Sequence, residues 1–184
     1  MPTAIAHAVV GGSLTLFSPK QVPRTRLALV LALLSVLPDF DVIAFSLGIS
    51  YSNPLGHRGL THSIPFAAIL APLATSFVFR DIPNFSKTWW SICALAFLAT
   101  VSHGVLDAFT DAGLGVGFFI PFENSRYFFP WRPIATSPLS IAAFLNGPAF
   151  HILGSELIWV GIPLVVILPI AWVIKAFLRR RTLE

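Results

Sequence analysis

Cysteine occurs once, at Cys93 inside an apolar run, so the chain can close no intramolecular disulfide and build no cysteine-based zinc finger. Charge is scarce too. Asp, Glu, Lys and Arg supply 11% of the 184 residues and hydrophobic residues 55%, whereas a soluble domain carries about 25% charged residues. That excludes a surface bathed in water on every side, and the chain reads as a single integral-membrane domain over residues 1–184. There is no internal repeat and no low-complexity tract, and the N-terminal stretch has neither a basic n-region nor a small-residue cleavage site, so no cleaved signal peptide is expected. The net charge of +4 does not indicate a nucleic-acid groove, because the basic residues lie at segment ends and in a terminal Arg179-Arg180-Arg181 run.

What is present is apolar sequence in long blocks. A helix rising 1.5 Å per residue needs about 20 residues to cross roughly 30 Å of hydrocarbon. Arg26 to Gly48, His62 to Phe79, Thr88 to Asp111 and Ser155 to Leu178 are expected to do so, as helices, since backbone polar groups in lipid must pair internally. Thr3 to Phe17 is shorter, and suits a tilted span, a re-entrant segment or an interfacial helix. The expected fold is therefore an all-α membrane bundle of about four transmembrane helices plus a short N-terminal hydrophobic helix. Pro38 should unwind the second helix, and Thr61 or Ser63 should cap the third.

Nine of the twelve basic residues orient this bundle. Lys20, Arg24 and Arg26, then Arg80 and Lys87, then Lys175 and the three terminal arginines share one side if the helices alternate, which places that side and the C-terminus in the cytoplasm. Counting upward from there, Asp39, Asp41, His62, His103 and Asp107 all reach roughly 20 to 30 Å, one layer near the outer face.

That layer holds the ionisable residues. Four of the five histidines and four of the five aspartates fall in His7, PDFD (38–41), GHRGLTHS (56–63) and SHGVLDAFTD (102–111). Such groups near hydrocarbon are costly unless something binds them, and a metal does so economically. His103 and Asp107, four apart on a helix, project from one face as two ligands of one ion would, and equally as a hydrogen-bonded pair would, with Asp111 continuing the stripe. Asp39 and Asp41, two apart, cannot face one ion from a regular helix, but unwinding after Pro38 lets one carboxylate bridge metals while the other orients a ligand. A plain polar turn is the simpler alternative. His57 and His62 flank Arg58, whose guanidinium suits a phosphate and equally an interfacial anchor. His7 reads as a ligand or as a polar residue facing the bundle. His151 and Glu156 read as structural or as outer partners of ligands, and the aromatic segment Gly113 to Gly154, with Tyr127, Phe128, Phe129 and Trp131, as an interfacial belt or as a lid or entrance.

Histidine and aspartate without cysteine suit Zn²⁺, Mn²⁺ or Fe²⁺. The six candidate ligands, His7, Asp39, His57, His62, His103 and Asp107, exceed what one catalytic zinc needs, so two or more ions are expected. Asp41 and Arg58 are the candidates for catalytic roles beside them.

His7, PDFD, GHRGLTHS and SHGVLDAFTDAG (102–113), in this order among membrane helices, resemble the YdjM-type family of inner-membrane metal-dependent hydrolases, over the chain up to about Pro133. More distantly they resemble the zinc-dependent phospholipase C and single-strand nuclease superfamily. The resemblance implies ligand roles for His7, Asp39, His57, His103 and Asp107, with Asp41 and His62 touching or adjoining the metal. The soluble superfamily adds further histidines and its N-terminal amine, for which no counterpart is evident here.

The function expected from these residues is a membrane-embedded hydrolase using metal-activated water, a phosphoesterase acting on a phospholipid or other amphiphilic phosphoester. Its place would be a bacterial-type inner membrane, with the site facing the extracytoplasmic side. The bilayer and an amphiphilic substrate are the expected partners, with no nucleic acid. The alternative is a non-catalytic metal-binding or metal-transporting protein, although transport needs ligands at more than one depth.

Overall fold

The structure, a computed structural model, describes residues 1–181. All its regular structure is helical: α1 (Ala4–Ser13), α2 (Arg24–Val36), α3 (Ile43–Ser46), α4 (Ile64–Val78), α5 (Lys87–Ala108), α6 (Ile141–Leu145), α7 (Ala149–Glu156) and α8 (Ile162–Arg181). Among the described residues no strand forms, only isolated bridges of Thr110 with Ile134 and Val116 with Tyr127.

Of the four runs expected to span, three are helices long and apolar enough to cross a membrane: Arg24–Ser46, Lys87–Ala108 and Ala149–Phe177. The first joins α2 to α3 through a 3-10 turn, Leu37–Val42, and the last joins α7 to α8 through a π turn, Leu157–Gly161. The run expected from His62 to Phe79 is helical only over the 15 residues Ile64–Val78, because Ser63 caps it by accepting from the Phe66 N–H. It joins Ala4–Phe17 as a shorter apolar helix.

The helix α5 lies at the centre, packed against α1, α2 and α4. Residues three and four apart share a helix face, and on α2 and α5 that face changes character along its length. Toward the N-terminal ends it buries Leu27, Leu31 and Leu34 against Trp89, Ile92 and Ala96. Toward the C-terminal ends it buries Ser35 and Asp39 against His103 and Asp107. Outward, Leu29, Leu33, Ile69, Leu73 and Leu98 stay exposed, as a lipid solvent allows. In the most apolar 18-residue part of Ala149–Phe177 only 6% of the residues are buried, so it faces lipid nearly all round.

Two glycines set the close approaches that build the polar end. A Cβ at Gly11 would sit 2.4 Å from Ser35 Oγ and 2.6 Å from the Leu31 carbonyl, so α1 and α2 nearly touch just below His7. At Gly104 a Cβ would lie 2.9 Å from the His62 carbonyl, so only glycine lets the loop before α4 rest on α5 beside His103.

Candidate metal centre

Proline at position 38 has no N–H to continue the α2 ladder, and the 3-10 turn that follows buries both Asp39 and Asp41. His62 ends a second 3-10 turn, Leu60–His62, just ahead of α4. His103 and Asp107 come from one face of α5, and His7 from α1.

These side chains converge. His62 Nε2 and His103 Nε2 are 3.0 Å apart. Asp39 Oδ1 stands 3.6 Å from the first and 3.2 Å from the second, and Asp107 Oδ2 stands 3.4 Å and 3.8 Å from them. A tetrahedral ion with bonds of about 2.05 Å holds its ligand atoms about 3.3 Å apart. The five separations bracket that value.

The hydrogen bonds behind the rings decide their tautomers. His103 Nδ1 is 2.7 Å from the Ser35 carbonyl, which only accepts, so Nδ1 carries the proton. Thr61 Oγ1 donates to Asp41 Oδ2 at 2.8 Å, and His62 Nδ1 lies 3.1 Å from the same oxygen, so it donates as well. Each neutral ring therefore turns an Nε2 lone pair toward the other. Two lone pairs at 3.0 Å cannot bond, and only a cation between them, a metal ion or a proton on one ring, makes the arrangement favourable. Both carboxylate oxygens of Asp39 and of Asp107, and both ring nitrogens of His7, are buried without a hydrogen-bond partner. Orphaned donors and acceptors of this kind, with N and O ligand chemistry, fit a divalent ion.

His7 stacks on His103 with ring centroids 3.8 Å apart, and its Nε2 lies 3.6 Å from Asp107 Oδ1. Asp107 thus offers one oxygen to the His62–His103 pair and the other to His7. Arg58, 1% exposed, presents Nε to Asp107 Oδ2 at 3.1 Å and donates from Nη1 to the Ala112 carbonyl and from Nη2 to Thr110 Oγ1. His57 lies on the far side of Asp41, Nδ1 to Oδ1 at 2.6 Å, and with Asp41 and His62 forms a second group able to hold an ion. The structure brings together the eight residues that the sequence offered as ligands or catalytic groups: His7, Asp39, Asp41, His57, Arg58, His62, His103 and Asp107.

Others fall elsewhere. Helix α5 ends at Ala108, so Asp111 leaves the expected stripe and instead accepts from the Thr136 N–H and hydroxyl. Glu156 accepts from the N–H and hydroxyl of Thr3, tying α7 to the start of α1, and His151 is exposed.

The groups that support these ligands carry no mark in the sequence. The Ser35 carbonyl orients His103. Arg126 donates to the carbonyls of His57, Tyr51 and Asn53, strapping the aromatic segment over the histidine loop. The same segment bonds that loop again through Gly117 N to Arg58 O at 2.9 Å and Ile64 N to Phe118 O at 2.9 Å. Burial there pushes the Tyr51 phenol above its ordinary value and draws Arg126 below its own.

Asp41 touches four donors or rings and, in the His62–His103 grouping, orients rather than binds. Asp41→Asn keeps its size but turns an acceptor into a donor among donors, and should weaken metal affinity about 10- to 100-fold. Chelator competition checks this, and unchanged affinity would make Asp41 a loop residue only.

The fold and this cluster define a class: an all-helical membrane protein with a buried His/Asp group able to hold a metal ion. The chain belongs to the YdjM family, whose model, described as YdjM inner membrane protein, matches residues 1–180. Inner membrane protein YbcI of Escherichia coli (strain K12) is 34% identical over 174 residues, covering 94% of this chain and 98% of that protein. No solved structure matches the chain.

Proposed function

We propose that the protein is a metal-dependent hydrolase embedded in the membrane, cleaving a phosphoester in a phospholipid or similar amphiphile, with Zn²⁺, Mn²⁺ or Fe²⁺ held by Asp39, His62, His103 and Asp107. The observation that supports it most is the 3.0 Å separation of the His62 and His103 Nε2 atoms, beside Asp39 and Asp107 carboxylate oxygens that make no hydrogen bond. A divalent ion bound there supplies Lewis acidity, which activates water near neutral pH and offsets charge growing on phosphoryl oxygens.

The chain's own residues do the rest. Ser35 and Asp41 hold His103 and His62 in the tautomer that binds through Nε2. Asp41 holds a proton on His57 Nδ1, leaving His57 Nε2 to accept or donate one. Arg58 pairs with Asp107 and aims it, and His7 with Asp107 Oδ1 supplies the beginnings of a second ion's shell. The segment strapped down by Arg126 covers this end of the bundle and limits water. The concentration of basic residues at the opposite end supports an extracytoplasmic site.

The test is turnover of reconstituted, metal-loaded protein on a panel of phospho-, acyl- and glycosyl-ester lipids. Release of product from phosphoesters alone, abolished by chelator and restored by metal, is the expected result. Inactivity across the panel rejects the reading. Metal transport is disfavoured by the apolar inward faces of the N-terminal halves of α2 and α5, which offer an ion no second stop.

A further inference from the structure

Far from the His/Asp cluster, where α1 ends and α2 begins, a groove of about 840 Å³ opens against α8. Lys20, Arg24 and Lys175 line it together with Phe17 and Trp172, and no carboxylate does. Next to it lies an apolar hollow of about 360 Å³ between Phe17, Ala171, Ile174 and Lys175, sharing Phe17 and Lys175 with the groove.

Arg26, close by in sequence, pairs with Asp81 at 2.8 Å, whereas among the described residues Lys20, Arg24 and Lys175 have no ion pair. Lys175 Nζ donates to the Leu16 carbonyl at 2.6 Å and stands 5.8 Å from the Phe17 ring centroid, so its ammonium is held where α8 meets the end of α1. Three cations gathered at a membrane-facing helix junction, beside an apolar hollow, form a two-part surface that matches a phosphate headgroup and its acyl chain. A free phosphate would leave the hollow unused. Arg24 and Asp39 are 15 residues apart along one helical stretch, roughly 20 Å, so this surface is separate from the metal centre.

We propose that this groove binds an anionic phospholipid of the surrounding bilayer, its phosphate at Lys20, Arg24 and Lys175 and an acyl chain in the adjoining hollow. The lipid bridges α8, which buries little of its own surface, to the α1–α2 corner, and so stabilises the docking of the last helix.

Native mass spectrometry and thermal melts of the purified full chain, with phosphatidylglycerol or with phosphatidylcholine, test this. Wild-type protein should retain phosphatidylglycerol preferentially and melt higher with it. Lys20→Gln/Arg24→Gln/Lys175→Gln should lose affinity for it on the order of a hundredfold, three interfacial cations being removed. Arg80→Gln/Lys87→Gln, exposed cations at the same end, should keep it. If the triple variant does not fold, Lys175→Gln alone should still show a partial loss of both retention and melting shift. Equal loss in the Arg80/Lys87 variant, no lipid preference in the wild type, or the same melting shift from inorganic phosphate alone would each overturn the proposal.

Discussion

His103→Ala and Asp107→Ala should each abolish metal binding at the centre, whereas His151→Ala should leave it unchanged. His103 contributes one of two Nε2 atoms that face each other at 3.0 Å, and Asp107 closes the group from the same face of α5. Outer partners of ligands are worth about 10- to 100-fold in affinity, so loss of a ligand itself should exceed about a hundredfold. The helices should survive His103→Ala, because the apolar core of Leu27, Leu31, Ile92 and Phe79 lies at the other end of the bundle. Asp107→Ala should cost more stability, since it leaves the Arg58 guanidinium buried without its carboxylate. Metal analysis after dialysis, with circular dichroism for the fold, checks all three. Equal metal loss in His151→Ala, an exposed residue, would mean that the ligands have been misassigned.

Arg58→Ala should be the most destabilising single change at the centre. The guanidinium is 1% exposed, its backbone stands at φ 61°, and it holds Asp107, Thr110 and the Ala112 carbonyl from one plane. Removing it strands a buried carboxylate, a loss of about 3–5 kcal/mol. Metal should shrink that loss, because a divalent ion on Asp107 replaces the missing positive charge. Arg58→Lys keeps charge without the planar fork and should fall between, with weakened metal affinity as well as weakened turnover. A phosphate clamp touching only substrate behaves otherwise: Arg58→Lys would bind metal normally and lose about 2–4 kcal/mol of transition-state stabilisation. Melting curves and metal titrations of the two variants separate these roles.

The parts of the centre legible in the sequence were those carried by spacing. His103 and Asp107 share a helix face whatever surrounds them, and Pro38 announces the unwinding that buries both aspartates of PDFD. The depth count placed His62 in the same layer, and α4 begins two residues beyond it as a shorter apolar helix, Ile64–Val78. What stayed hidden depends on the third dimension. The acceptor for His103 is a backbone carbonyl, which every residue has, so nothing marks Ser35. Arg126 acts across 69 residues on the carbonyl of His57, and a lone arginine among aromatics reads as an interface anchor. Asp111 keeps the i+4 rhythm past the point where α5 has ended, so periodicity misled there. Asp41 and His57 stand beside the other candidates, but which histidine faces Asp39 and which lies behind Asp41 required the folded loop.

X-ray absorption at the metal edge of wild-type protein, purified without added chelator, tests the central claim most directly. The expected result is at least one tightly held ion per chain, with nitrogen and oxygen neighbours at about 2.0–2.2 Å, imidazole back-scattering and no sulfur, and loss of that signal in His103→Ala. Protein free of stoichiometric metal that gains none when titrated, with the His62–His103 pair sharing a proton instead, would contradict it.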